Sequence, residues 1–146
     1  MLASYGGQID IGEQVLIGRL CTVFGHGGVH IGAFSMIGPG VVIVSTNHVT
    51  TMSGRKFQEQ GFTRERIDIG EDVWIGANCS VVAGARIEPR TVVAANSLVD
   101  GLLRGGWLYG GIPARRLQII PESLDPKVSA RVDFRTWGLT DWIDPE

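Results

Sequence analysis

From Ile11 onward the chain places an aliphatic residue at every sixth position: Ile11, Ile17 and Val23, then Ile31, Ile37, Ile43 and Val49, then Ile69, Ile75, Val81, Ile87, Val93 and Val99. Glycine follows at Gly12, Gly18, Gly32, Gly38, Gly70 and Gly76. Four places after the aliphatic residue sits a second, mostly small class: Val15, Cys21, Ser35, Val41, Val73, Cys79, Ala85, Thr91 and Ser97. Neither a 3.6-residue period nor simple alternation yields this spacing, whereas repetition at a fixed period is the mark of a solenoid. A short strand and a tight corner use six residues, three such units close a triangular coil, and coils stack at about 4.8 Å. The expected fold is therefore all-β, a parallel β-helix whose narrow interior takes one bulky and one small residue per side. Corners call for left-handed backbone angles, and Gly12, Gly38, Asp72, Asn78 and Asn96 are the residues expected to supply them.

The rhythm breaks twice. Between Val23 and Ile31 the surplus lies in FGHGGVH, expected to form a local bulge. Between Val49 and Ile69 lies a polar loop, residues 50–68, carrying Arg55, Lys56, Gln58, Gln60, Arg64 and Arg66. A loop of that length in a compact domain usually serves function, and this one starts beside His48. After Val99 the pattern fades, and residues 112–117 (IPARRL) close the ladder. The division expected is a coil domain over 1–120 and a C-terminal extension over 121–146, in which Val128, Ala130, Val132 and Phe134 alternate like an edge strand and Trp137 and Trp142 are large apolar groups.

Composition narrows the function. The 21 glycines have no collagen period, so they require a repeated backbone reason. A net charge of −2 gives no basic face for nucleic acid. No apolar run is long enough to span a bilayer and the first residues lack a leader pattern, so a cytoplasmic protein is expected. Cys21 and Cys79 fall at inward positions with no metal-type spacing, and no disulfide is expected.

The hexads, DVWIG at Asp72, STNH ending at His48, QGFTR from Gln60 to Arg64 and the closing GIPARRL together resemble the hexapeptide-repeat acyltransferases, in particular the sugar and polysaccharide O-acetyltransferases similar to maltose and galactoside acetyltransferases. The resemblance covers about residues 8–120 and implies a left-handed parallel β-helix, a homotrimer with sites between adjacent subunits, and acetyl-CoA as co-substrate without a metal. It implies pantetheine contacts at Ala77 and Ala95, adenine packing on Pro113, phosphate contact by Arg115 with Arg116 as a further candidate, and burial of Trp74 between subunits. One segment departs from the family: the corner Asp100-Gly101-Leu102-Leu103-Arg104-Gly105-Gly106 replaces the usual lysine and Pro-Pro turn.

Acetyl transfer to a hydroxyl needs a base, and histidine, with an ordinary pKa of about 6.5, suits the task. His48 is the catalytic candidate, expected on the coil at the mouth of the loop. Asn47, at a position otherwise held by small inward residues, is a second candidate, and Gln60 and Arg64 are candidates for the acceptor. Two other readings stay open. His30 and His48 lie one expected coil apart, as two ligands of a γ-carbonic-anhydrase-like zinc enzyme would, with His26 the remaining histidine. A non-catalytic β-helix scaffold would need neither His48 nor the loop.

Overall fold

The structure, a computed structural model, describes residues 6–123; the edge strand and tryptophans expected beyond Pro121 lie outside the described residues. The first coil is β1 (Ile9–Ile11), β2 (Leu16–Ile17) and β3 (Thr22–Phe24). The second is β4 (Val29–Ile31), β5 (Met36–Ile37) and β6 (Val42–Val44), followed by an outlying pair, β7 (Thr46–His48) and β8 (Phe62–Arg64). The ladder resumes with β9 (Ile67–Ile69), β10 (Trp74–Ile75) and β11 (Ser80–Val82), then β12 (Arg86–Ile87), β13 (Val92–Val93) and β14 (Leu98–Val99). An incomplete fifth coil holds β15 (Leu102–Leu103) and β16 (Trp107–Gly110), and β17 (Arg115–Ile119) turns back along β16.

Parallel pairing stacks these strands into three faces: β1-β4-β9-β12-β15, then β2-β5-β10-β13-β16 with β17 antiparallel at its end, then β3-β6-β11-β14. The result is the left-handed parallel β-helix. Its inward columns are the hexad residues in register: Ile11, Ile31, Ile69, Ile87 and Leu103 on the first face; Ile17, Ile37, Ile75, Val93 and Tyr109 on the second; Val23, Ile43, Val81 and Val99 on the third. Ile31, Ile43, Ile69, Ile75 and Val81 have no solvent exposure, and the small class fills the corners between them. Polar members of that class are tolerated because each is satisfied: Ser35 Oγ donates to Gly70 O (3.0 Å) and accepts from Val73 N (3.1 Å), while Ser97 Oγ donates to Ala94 O (2.6 Å).

The left-handed corner positions differ in part from expectation. Asp72, Asn78 and Asn96 adopt positive φ, joined by Gln14, Leu20, Phe34 and Arg90, but Gly12 and Gly38 do not. Those glycines answer a different demand. A Cβ on Gly38 would stand 2.7 Å from Ala77 N, and one on Gly12 would stand 2.6 Å from Ala33 N. The repeated glycine therefore lets coils approach: Gly12, Gly32 and Gly70 each donate N–H to the hexad carbonyl of the next coil at 2.8 Å.

Outward columns distinguish the faces. The first carries Asp10, His30, Asp68 and Arg86 in line; the second carries Leu16, Met36, Trp74, Val92 and Leu108; the third carries Thr22, Val42, Ser80 and Leu98 beside Phe24, Val44 and Val82. No helix among the described residues is long and apolar enough to cross a membrane. Truncating one buried hexad residue should open a void that the coils above and below cannot close, so Ile43→Ala is expected to cost about 2–5 kcal/mol in urea denaturation. Asn78→Gly, which keeps the positive φ of 56°, is expected to stay within about 1 kcal/mol of the parent in the same measurement.

Candidate active site

The hexad rhythm ends at Ile43, one unit earlier than the sequence suggests. Ser45 is the last inward residue of the second coil, fully buried, and from Thr46 the chain leaves the prism. β7 pairs antiparallel with β8, matching Thr46 to Arg64, Asn47 to Thr63 and His48 to Phe62. Val49 is half-buried and belongs to no coil, and the arm returns to the ladder at Ile67, inside the span 50–68 expected for the loop. His48 thus stands on a hairpin arm rather than on the coil, and Asn47 faces outward and exposed rather than inward. The reason is non-local: strand partners sixteen residues apart at Asn47 and Thr63 outcompete one more turn of the repeat, with Thr63 Oγ1 donating to Asn47 O at 3.4 Å.

Ser45 anchors the base of this arm. Its Oγ accepts from Gly27 N at 2.8 Å and donates to Phe24 O at 3.0 Å, while its carbonyl receives Glu65 N at 3.1 Å. The bulge after Val23 is therefore a seat for the arm, and Gly27 has no room for a side chain because a Cβ would press on the Ser45 carbonyl. Farther out, Gln60 holds the arm closed. Its Oε1 accepts from Thr51 N (2.9 Å) and Thr51 Oγ1 (2.7 Å), and its Nε2 donates to Thr51 O (3.0 Å) and Arg55 O (2.9 Å). With both ends of the amide spent within the arm, Gln60 positions the loop. Arg64 lies with its guanidinium 5.2 Å from the centre of the Phe62 ring.

His48 is exposed, and its Nδ1 lies 3.3 Å from Gly61 O. A carbonyl oxygen can only accept, so in the neutral imidazole this contact puts the proton on Nδ1 and the lone pair on Nε2, the tautomer a general base needs. His48, Thr50, Phe57 and Gln58 line a depression of about 350 Å³. Thr50 and Phe57 are the neighbours that the sequence did not single out; the two aromatics, Phe57 and Phe62, in a largely polar loop were the signal available.

The second cluster lies at the corner between the second and third faces. Asn78 N donates to Pro39 O and Asn96 N to Ala77 O, each at 2.9 Å, so Ala77 and Ala95 stack in one column. The closing turn caps that column: Gly111 N donates to Ser97 Oγ at 3.1 Å and Leu98 N to Gly111 O at 3.0 Å, which sets Pro113, after a cis peptide bond, beside it. Arg115 is exposed, with one guanidinium nitrogen on Ala114 O at 2.9 Å. Arg116 is engaged within the closing hairpin, over the Trp107 ring at 4.7 Å and donating Nε–H to Tyr109 OH at 3.3 Å. Cys79 is buried behind this corner, and burial pushes its thiol up from its ordinary value, away from a thiolate nucleophile.

The arm leaves the edge between the third and first faces, whereas the Ala77-Ala95-Pro113 column occupies the edge between the second and third. The whole third face separates them. The zinc reading loses its geometry: His30 pairs with Asp10 and Asp68 on the first face, not with His48, and no three His, Cys, Asp or Glu among the described residues are grouped to hold a metal ion.

Comparison with known proteins gives the same picture. Residues 8–45 match the family described as hexapeptide repeat of succinyl-transferase, and residues 66–101 match bacterial transferase hexapeptide (six repeats), one on each side of the arm. The galactoside O-acetyltransferase of Lactococcus lactis is 31% identical over 97% of this chain and 64% of its own length, and that of Escherichia coli is 30% identical over 80% and 57%. The solved hexapeptide-repeat acetyltransferase of Vibrio cholerae in complex with acetyl-CoA superposes with a TM-score of 0.73 at 32% identity, covering 81% of this chain and 63% of that one. The chain thus spans somewhat under two thirds of the length of these relatives. With hexad matches flanking the arm and the same coil beneath them, the chain belongs to the hexapeptide-repeat acyltransferase family.

Proposed function

We propose that this chain transfers an acetyl group from acetyl-CoA to a hydroxyl of a sugar or saccharide precursor, with His48 as general base. The observation that carries the proposal is the exposed His48 imidazole, which meets the Gly61 carbonyl through Nδ1 at 3.3 Å and lines a depression together with Thr50, Phe57 and Gln58. Nε2 takes the acceptor's hydroxyl proton as its oxygen bonds to the thioester carbonyl carbon. The tetrahedral intermediate then collapses with cleavage of the C–S bond, and the imidazolium returns the proton to the departing thiolate. Asn47, one residue before the base and exposed on the same strand, is available to steady the acceptor, as is Arg64 opposite Thr46.

The donor fits the alanine column. Methyl side chains at Ala77 and Ala95 leave the backbone edge open to a long thin arm, Pro113 offers a flat ring at its end, and the exposed Arg115 offers a charge for phosphate. Arg116, stacked on Trp107, acts by holding the closing hairpin. The relatives that share the hexads act on galactosides or bind acetyl-CoA by their names, which favours the same donor and a related acceptor here. Because that donor is a cytosolic metabolite, the reaction belongs in the cytoplasm.

A site built from two edges of the prism needs a second copy to close it. The second face offers the contact: Leu16 (65% exposed), Met36 (44%) and Trp74 (50%) form an apolar ladder in register. Threefold association through this face would bring the arm of one copy to the alanine column of the next, which is the homotrimer proposed here.

His48→Ala should lower kcat by about 10² to 10⁴, with coenzyme A binding by calorimetry unchanged; turnover near the parent's would refute the assignment. Trp74→Glu should convert the trimer to smaller species in sedimentation and abolish transfer together with assembly. Because each site would draw on two copies, mixing inactive His48→Ala with inactive Ala95→Trp subunits and allowing exchange should restore part of the thiol release, and no recovery would place both halves in one chain.

A further inference from the structure

We infer that Phe57 forms the acceptor-recognition platform of the site, stacking against the C–H face of a hexopyranoside whose reacting hydroxyl meets His48. The inference rests on the reading of His48 as base and names the chemistry that faces it. Phe57 begins a single 3₁₀ turn, Phe57–Glu59, and its ring is 55% exposed, an unfavourable state for a side chain of that size unless something covers it. It is not loosely held. Gln60 N donates to Phe57 O at 3.1 Å, and the Gln60 amide ties the backbone of Thr51 and Arg55 to the returning limb of the arm, so the backbone that carries the ring is set in place before any ligand arrives.

The depression it lines contains His48, Thr50 and Gln58 and is walled almost wholly by carbon. A wall of that kind is wrong for coenzyme phosphates and right for the apolar side of a sugar. In a galacto-configured ring the C3, C4 and C5 hydrogens form a continuous apolar patch on one side, while the hydroxyls lie at the rim. With the patch on Phe57, a rim hydroxyl is left for Nε2. The other aromatic near the base is less suited, since Phe62, directly across the hairpin from His48, has the Arg64 guanidinium over its ring at 5.2 Å.

Methyl β-D-galactopyranoside, which has no aromatic aglycone, serves as the probe. With the full chain and saturating acetyl-CoA, Phe57→Ala should raise the KM for this galactoside about tenfold while kcat stays within twofold and the KM for acetyl-CoA is unchanged. Phe57→Trp, which keeps an aromatic face, should restore the parent value. Saturation-transfer NMR should show the H3, H4 and H5 protons of the galactoside receiving the most magnetisation from the parent protein and losing it in Phe57→Ala. A galactoside KM within twofold of the parent in Phe57→Ala would overturn the inference. So would an equal rise in the acetyl-CoA KM, a changed oligomer mass in that variant, or the absence of both transfer and magnetisation with the parent. The NMR contact does not depend on turnover, so a His48→Ala variant that keeps activity would remove the base assignment while leaving the Phe57 contact standing.

Discussion

The spacing between coils governs this molecule. Backbone hydrogen bonds from one coil to the next, such as Gly18 N to Ile37 O and Gly38 N to Ile75 O at 2.7 Å, fix the stacking distance, and every other feature adapts to it. At that distance the residue after the hexad aliphatic on the first and second faces meets the backbone of the next coil, so glycine occupies it there in the first three coils. The interior that remains admits one branched aliphatic side chain per strand, or two in β4 and β9, each contributing about 1.5–3 kcal/mol by its burial. Small residues fill the corners. Where these are hydroxyls their hydrogen bonds go to nearby carbonyls, so no buried side-chain polar atom among the described residues lacks a partner.

Against so regular a scaffold, the arm is a place where the chain trades coil contacts for local ones. Its stability is assembled from hydrogen bonds: Ser45 joins its base to the bulge of the coil below, the short hairpin joins its sides, and Gln60 joins its tip. Few of its side chains are buried, so these bonds, each worth about 0.5–1.5 kcal/mol net, must hold the geometry. The bulge and the arm are in this sense one device split across two coils. Gly27 can donate to Ser45 only because the first coil is two residues longer than the hexad period allows.

Much of the prism was legible in the sequence because a short-range pattern repeats many times with the same physical cause: the inward columns and the small class occupy the positions the hexads mark. The misreadings are as instructive. Gly12 and Gly38 look like corner residues because glycine tolerates positive φ, yet residues as bulky as Leu20 and Phe34 adopt that angle here, while the glycines serve close approach. Val49 keeps the sixfold count by coincidence, and the count alone cannot see that residues 62–64 compete for the same segment as a strand partner. The supposed pairing of His30 with His48 fell with that count, and the company Phe57 keeps with His48 depends on the path of the arm, which no periodicity describes.

The outward columns show how one repeat can build three unlike surfaces. The ion pairs of Arg66 with Asp68 and Asp10, Arg90 with Asp72 and Arg104 with Glu88 lie on the first face or at its corners. Exposed pairs of this kind add little to stability, a median of about 0–1 kcal/mol, so their concentration there needs another reason. A face lined with Asp10, His30, Asp68 and Arg86 resists burial against an apolar surface, because its charges would be stripped of water. The apolar columns of Leu16, Met36 and Trp74 and of Phe24, Val44 and Val82 carry no such penalty. The outward residues thus give the prism one side rich in charge and two on which apolar side chains predominate. The edge bearing the alanine column is the one between the two apolar sides, so association that buries those sides also encloses that column. The sorting of outward residues thus leaves the alanine column between the two more apolar sides, while the arm emerges from the border of the charged side.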